Sequence, residues 1–417
     1  MSLKEVSMTF IEFFDKSSIK NIISAFTIRP DKIVFVGESK VMKRSIPVYQ
    51  KFLNDKGVNT PLEMCPVNKN NLWDIVNKIS DIVVKEEECA FDLTGGDDLL
   101  LVAVGIVFQE YKDRVKLHMH RFNMRNGTLL DCDNDGETPF TFSQKLSIED
   151  WVALHGGVVA HRSTEGKNVI AVHKDDICKI WNVCKSKPGK WNYQIGILNE
   201  FQKYGADICN PLHVCINIPF VSEFIKNMDD KLDVLDDIIR SLNVAGLISE
   251  VRWTTEEVSF TYRNAFVKNC VGKAGEILET KILQIAYDMR DKNKPFCSDA
   301  DRGVFIDWDG VLHDAEKKVH DTENEIDVMM MHELTPVFIS CKNGAFDDEE
   351  LYKLYTVSSR FGGPCAKRIL VCTDFSERSE KYPHLAQRAN DMDITIISGV
   401  QNMTDAEIQS KLKDVIF

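Results

Sequence analysis

Along the first 125 residues apolar positions recur with two different periods. The runs MTFIEFF (8–14), KIVFVG (32–37), CAFDLTGG (89–96) and VKLHMHRF (115–122) read as short buried strands. Between them SIKNIISAF and NLWDIVNKISDIV repeat their apolar residues at helical spacing. Strands alternating with helices imply a parallel sheet in a doubly wound domain, and such sheets bind ligands beyond the carboxyl ends of the strands, where strand order switches. The residues at those ends are polar or glycine: Asp15-Lys16-Ser17-Ser18, Gly37-Glu38-Ser39-Lys40, and Thr94-Gly95-Gly96-Asp97 ahead of the helical run LLLVAVGIVFQEY. Glycine at such a turn lets backbone N–H groups approach an anion at a helix N-terminus. A turn also needs glycine for its own conformation, so one loop alone carries little. Three at one sheet edge predict a pocket for a phosphate-bearing ligand.

Residues 126–268 are less regular. They open on polar, glycine-rich sequence with a hairpin character, RNGTLLDCDNDGETPF, and continue through LSIEDWVALHGG and GKWNYQIGILNEFQKYG. The end is clearer. A helical run, KLDVLDDIIRSLNVAGLI, stops at Gly246 and leads into VRWTTEEVSFTYRN, two alternating strands about a Thr-Glu-Glu turn. Helix plus hairpin resembles a winged-helix module. No arginine and lysine cluster marks a helix that reads DNA, so a connector or dimer-forming role is expected.

Residues 269–417 predict an α+β unit: helix (273–289), strands at 304–307, 325–331 and 337–342, helix (348–360), strand (368–373), helix (378–390) and strand (394–398). The strands NEIDVMMM and PVFISCK flank a turn at Glu333-Leu334, which places Asp327 opposite Ser340 and Glu325 opposite Lys342. Alternation then sets these four on one face, expected to be wet, and Ile326, Val328, Met330, Val337, Ile339 and Cys341 on a core face. In GKAGEILETKILQIAYDM, Glu276 and Glu279 lie off the apolar stripe, and Glu279 can point at Asp327. Carboxylates converging with a lysine suit magnesium or manganese and phosphodiester hydrolysis, with Lys342 neutralising charge or positioning water. A surface cross-strand charge pairing is the plainer alternative.

Composition adds limits. The 417 residues, 44% apolar and 28% charged, suit two or three globular domains. A net charge of −13 argues against a protein that coats nucleic acid through a global basic field, but leaves room for a locally basic cleft. No long apolar run and no secretory leader pattern is visible, so a cytoplasmic protein without membrane partners is expected. The twelve cysteines show no zinc spacing, and Cys89, Cys215, Cys341 and Cys372 sit in apolar runs that predict buried thiols.

Both ends then resemble known families. The C-terminal unit is similar to the PD-(D/E)xK restriction-endonuclease-like nucleases, whose metal site joins a helix glutamate, a strand aspartate and (D/E)xK. Glu279, Asp327, Ser340 and Lys342 occupy those places, with Ser340 where a carboxylate is usual and Glu325 or the Ser340 hydroxyl as its substitute. The N-terminal unit resembles the CARF domains, Rossmann-fold sensors of cyclic oligoadenylates, through DLTGGDDLLLVAV (92–104) and the loops holding Lys16, Ser17, Ser18, Gly37, Glu38 and Ser39. That family usually continues TGG with Thr-Lys, whereas Asp97-Asp98 stands here.

The order CARF (1–125), connector with a winged-helix-like end (126–268) and nuclease (269–417) looks like the CRISPR-accessory nucleases of type III systems. That resemblance implies a homodimer in which cyclic tetra-adenylate binds across two CARF domains and switches on metal-dependent cleavage of single-stranded DNA and RNA, or nicking of duplex DNA. Two other readings compete. VFIDWDGVL (304–312) resembles a HAD phosphatase motif with Asp307 as nucleophile and Asp309 as acid, but lacks the crossover helix that a parallel sheet needs before FIS (338–340). A ligand-sensing transcription regulator with a degenerate nuclease fold is favoured by Ser340 and opposed by the absence of a basic recognition helix.

Overall fold

The computed structural model describes residues 8–124, 126–133, 136–162, 166–205, 209–313, 323–344, 346–373 and 383–417. The predicted helix from 378 to 390 begins outside these residues and is seen as His384–Asp391.

The predicted N-terminal strands form as β1 (Thr9–Phe13), β2 (Lys32–Gly37), β4 (Glu88–Asp92) and β5 (Lys116–Asn123), and an edge strand, β3 (Leu62–Pro66), joins them. They pair in parallel in the order β3-β2-β1-β4-β5. Their fully buried residues, Phe10, Ile11, Val36 and Phe91 among them, explain the unbroken apolar runs, because helices cover both faces. Helices α1 (Ile23–Ile28) and α2 (Ser39–Asp55) lie on one face, α3 (Leu72–Val83) and α4 (Asp98–Tyr111) on the other. Strand order switches between β1 and β4, so the loops after these two strands flank the crevice.

The glycine-rich sequence past residue 125 extends this same sheet, as β6 (Thr128–Asp131) and β7 (Gly136–Thr141), both antiparallel. Helix α5 (Ile148–Leu154) follows, closed by a capping box between Ser147 and Asp150. Strand β8 (Val158–His161) then crosses to the edge of the C-terminal sheet.

Helices α6 (Gly166–Val172), α7 (Lys174–Ser186) and α8 (Pro188–Gln202) lead to β9 (His213–Asn217), the short α9 (Ile218–Val221) and α10 (Met228–Val244). The predicted hairpin is β10 (Ile248–Trp253) and β11 (Glu257–Tyr262), in an antiparallel sheet ordered β10-β11-β9. Helices and sheet share one core through Ile177, Trp191, Leu235 and Phe260, a winged-helix-like arrangement. Cys89, Cys341 and Cys372 are buried as expected, but Cys215 is exposed, because β9 turns only Val214 and Ile216 inward.

After α11 (Ala265–Gly272) and α12 (Glu276–Asp288) comes a small hairpin, β12 (Arg290–Asp291) and β13 (Lys294–Pro295). The C-terminal sheet consists of β14 (Asp299–Asp307), β15 (Glu323–His332), β16 (Thr335–Lys342), β17 (Lys367–Cys372) and β18 (Ile394–Ser398), with α13 (Asp348–Phe361) between β16 and β17. Its order is β18-β17-β16-β15-β14-β8, an antiparallel meander joined to a parallel pair. Strand β14 runs antiparallel to both neighbours, and Asp307 accepts hydrogen bonds from the N–H groups of Asp309 and Gly310. The phosphatase-like motif is therefore the end of a meander strand and its turn.

The predicted hairpin register holds: His332 pairs with Thr335, Met330 with Val337 and Val328 with Ile339. The wet face does not. On that face Met329, Met331 and Phe338 are fully buried beneath α13 through Leu351, Leu354 and Val357, while the opposite face packs on α12. One core runs from α1 and α2 through α5 to the α13 face of this sheet, and another joins the α12 face to the winged-helix-like unit. Among the described residues, no helix is long and apolar enough to cross a membrane.

Candidate active site and N-terminal sheet edge

Regular pairing of β15 with β16 stops at Val328 and Ile339, and the next residue, Asp327, uses its side chain in place of its backbone. Its Oδ2 accepts from the Cys341 N–H at 2.7 Å and the Ser340 hydroxyl at 3.1 Å. On the other flank the ladder with β14 skips the Gly303–Asp327 pair, and Gly303 has φ +55°. Both strands change faces there. Ala300 and Val328 belong to the α12-side core, whereas Val304, Ile306 and Ile326 belong to the other. Without this interruption alternation would keep residues two apart on one face.

The Lys342 ammonium lies 3.5 Å from Asp327 and 2.9 Å from Glu350 of α13. Burial acts to lower its pKa, but the two carboxylates outweigh burial and raise it, so Lys342 is held as a cation. The expected opposition of Glu325 and Lys342 is not formed. Glu325 pairs with Phe305 of β14, because the strands have already parted where Lys342 would meet it. It still lines a narrow cleft of about 50 Å³ with Asp327, Ser340, Glu350, Lys353 and Leu354.

Glu279 does approach Asp327, from α12. Burial first, and then the Asp327 carboxylate with smaller pushes from Glu325 and Glu276, drives it up to about 8, against the opposing pull of Arg302. Arg302 also pairs with Glu276, at 2.8 Å. A nearly buried acid set among three other carboxylates fits the place of a hard cation, which would supply the missing charge. Among the described residues, though, no three His, Cys, Asp or Glu side chains are already gathered as ligands. Sequence reasoning missed Glu350. Its only signal is the acidic first turn Asp348-Glu349-Glu350, which ordinary helix capping also explains.

At the other end of the molecule the loops after β1 and β4 touch. A Cβ on Gly95 would lie 3.0 Å from Phe13 O and from Asp15 Cβ, one on Gly96 2.7 Å from Phe13 Cβ, and one on Gly37 2.7 Å from Phe14 Cβ. These glycines allow three loops to close on one another. Lys16, Glu38 and Asp97 are exposed at this edge, Ser17 and Ser18 half-buried, and Glu38 pairs with Lys69 at 3.4 Å. Ser39 begins α2, so the second loop does lead into a helix N-terminus.

Two expected contacts already have structural duties. Thr94 Oγ1 donates to Asp92 at 2.5 Å and accepts from the Phe122 N–H at 2.7 Å. Asp97 is the N-cap of α4, accepting from the Leu100 N–H at 3.2 Å, which accounts for an acid at this point of the loop. Beneath them, at the carboxyl ends of β1 and β4, the buried pair Glu12 and Asp92 face each other in register. Burial raises both acids, Glu12 the more, with the neighbouring Asp92 carboxylate adding to the push on Glu12.

No protein-family profile matches the sequence, and no curated protein matches it. Solved structures do. Protein VC1899 from Vibrio cholerae aligns with a TM-score of 0.70 at 17% identity, over 98% of this chain and 98% of that one. Can2 from Sulfobacillus thermosulfidooxidans, determined in complex with cyclic tetra-adenylate, aligns with a TM-score of 0.62 at 14% identity, over 98% and 97% of the two chains. The α/β unit, the winged-helix-like connector and the α+β unit of this chain thus form together a fold shared from end to end with VC1899 and Can2.

Proposed function

We propose that the protein is a metal-dependent endonuclease of type III CRISPR defence, activated by a cyclic oligoadenylate and acting on single-stranded DNA or RNA or nicking duplex DNA. The observation that carries this reading is the Asp327–Ser340–Lys342 cluster at the splayed strand pair, with Glu279 behind it. Asp327 and Glu279 are the residues that would hold magnesium or manganese, with the Ser340 hydroxyl and Glu325 at the rim. When bound, such an ion supplies a polarised water and neutralises phosphate charge. Lys342, kept protonated by its carboxylate neighbours, stabilises charge developing on a phosphodiester oxygen. Ser340 and the Cys341 N–H fix the Asp327 carboxylate in place.

The N-terminal crevice is the proposed activator site, built from the loops of Lys16, Ser17, Ser18, Gly37, Glu38, Ser39 and Gly95 to Asp97. Can2's complex with cyclic tetra-adenylate supports this assignment. A homodimer belongs to the same reading: α4 leaves Val102 half exposed and Gly105 open on its outer side, an apolar strip that a second copy can cover. The test mixes protein, manganese or magnesium, and cyclic tetra-adenylate with single-stranded DNA and RNA. Cleavage is expected, falling at least about a hundredfold in Lys342→Ala and Asp327→Ala. Folded protein that cuts with no ring size would instead favour a ligand-sensing regulator, the reading to which Ser340 lends weight.

A further inference from the structure

Helix α13 reaches both functional ends of the molecule. Its 14 residues span about 21 Å at the usual helical rise. At its first turn Glu350 holds Lys342 at 2.9 Å, closer than Lys342 comes to Asp327. The same turn and the next, through Glu350, Lys353 and Leu354, wall the cleft in front of Asp327 and Ser340. That cleft, about 50 Å³, is far below the roughly 300–1,000 Å³ of a site that encloses a drug-sized ligand. Helix α13 thus narrows the approach to Asp327, whose side chain keeps 18% exposure.

The other end of α13 sits against the sensor. The Trp151 indole of α5 donates to Phe361 O at 2.7 Å, and the turn that follows brings Gly363 beneath the β1 loop. A Cβ on Gly363 would lie 3.3 Å from His155 Nε2 and 3.7 Å from Ser17 Oγ. Both atoms are buried and, among the described residues, have no hydrogen-bond partner. The Gly363 turn therefore packs directly on the Ser17 loop and on His155, so a displacement of that loop is felt at the end of α13. Ser17 belongs to the loop assigned above to the activator.

We propose that α13 is an autoinhibitory lever: Glu350 restrains Lys342 and narrows the cleft, and ligand at the Ser17 loop moves the Gly363 turn and releases both. This rests on the nuclease and activator reading above, but makes Glu350 a positioning residue that acts through Lys342. Linkage gives it a second consequence. If weakening the restraint favours the open state, it must also tighten activator binding, because the coupling is reciprocal.

The experiment compares full-length wild type, Glu350→Gln and Glu349→Gln with cyclic tetra-adenylate as probe. Glu349 is exposed and pairs with Lys353, so its variant is a control for lost charge on the same turn. Calorimetry should show several-fold tighter binding to Glu350→Gln alone, and cleavage without activator should rise tenfold or more in that variant alone. Hydrogen exchange, which requires no activity, should show faster exchange at 350–354 of the wild type on addition of cyclic tetra-adenylate. Wild type that binds and cleaves, with unchanged exchange in α13 and unchanged affinity in Glu350→Gln, overturns the lever and leaves the nuclease reading standing. Loss of activated cleavage in Glu350→Gln would make Glu350 part of the chemistry and would also overturn it. Failure of the wild type to bind the probe would overturn the activator reading and the lever together.

Discussion

Gly303, at φ +55°, stands opposite Asp327 where the β14–β15 ladder skips a pair. The left-handed residue lets both strands roll onto their other faces at one point, and Asp327 is thereby turned from ladder partner to site residue. Gly303→Ala tests this. A Cβ there would meet nothing closer than Glu325 Oε1 at 3.9 Å, so the cost is backbone strain of about 1–2 kcal/mol and no clash. Thermal unfolding should show that loss, and activated cleavage should fall further than stability does, since Asp327 is misaimed.

Ser340 is 8% exposed and donates to Asp327. Ser340→Asp would put a second carboxylate on the same spot. Without metal, repulsion should lower the melting temperature. With manganese, affinity should rise about tenfold, because ligand charge sets the affinity of oxygen sites. If Glu325 substitutes for the absent acid, Glu325→Ala should be nearly as inactive as Asp327→Ala, a result that the Ser340→Asp background should rescue.

Glu279, pushed up to about 8, should make cation binding at the proposed site pH-dependent. At pH 7 its carboxyl is mostly protonated, so binding a cation there should release close to one proton. Calorimetry in buffers of different ionisation enthalpy measures this release, which should vanish above pH 9 and in Glu279→Gln. The stability sign follows: the folded state binds the extra proton, so metal-free protein should lose stability as pH rises from about 4.5 to about 8. Saturating metal should flatten that slope.

Asp97 and Asp98 should separate by role. Asp97 caps α4, and Asp97→Ala should cost about 1 kcal/mol of stability. Asp98, exposed in the first turn, makes no cap hydrogen bond, and Asp98→Asn should tighten cyclic tetra-adenylate binding severalfold by removing a charge near its phosphates. Weaker binding in Asp98→Asn would place that carboxylate on ribose or adenine.

The α/β alternation of the first unit and the β15–β16 register could be read from residues alone. Buried parallel strands announce themselves as apolar runs, and the two-residue turn at Glu333-Leu334 fixes which residues face each other; Glu333 takes φ +52° there. The convergence of Glu279 on Asp327 followed from helical spacing on α12. The strand's own pattern does not contain what lies above it. Asp327, Ser340 and Lys342 alternate as a wet face would, and only the docking of α13 buries that face and brings Glu350 to Lys342. Nor does a glycine reveal the sign of its φ: Gly303 rolls two strands because of the sheet on either side of it. Local periodicity determined elements and pairing, whereas contacts between residues far apart in the chain, Gly363 with Ser17 and His155 or Glu350 with Lys342, were decided by packing, which no single segment encodes.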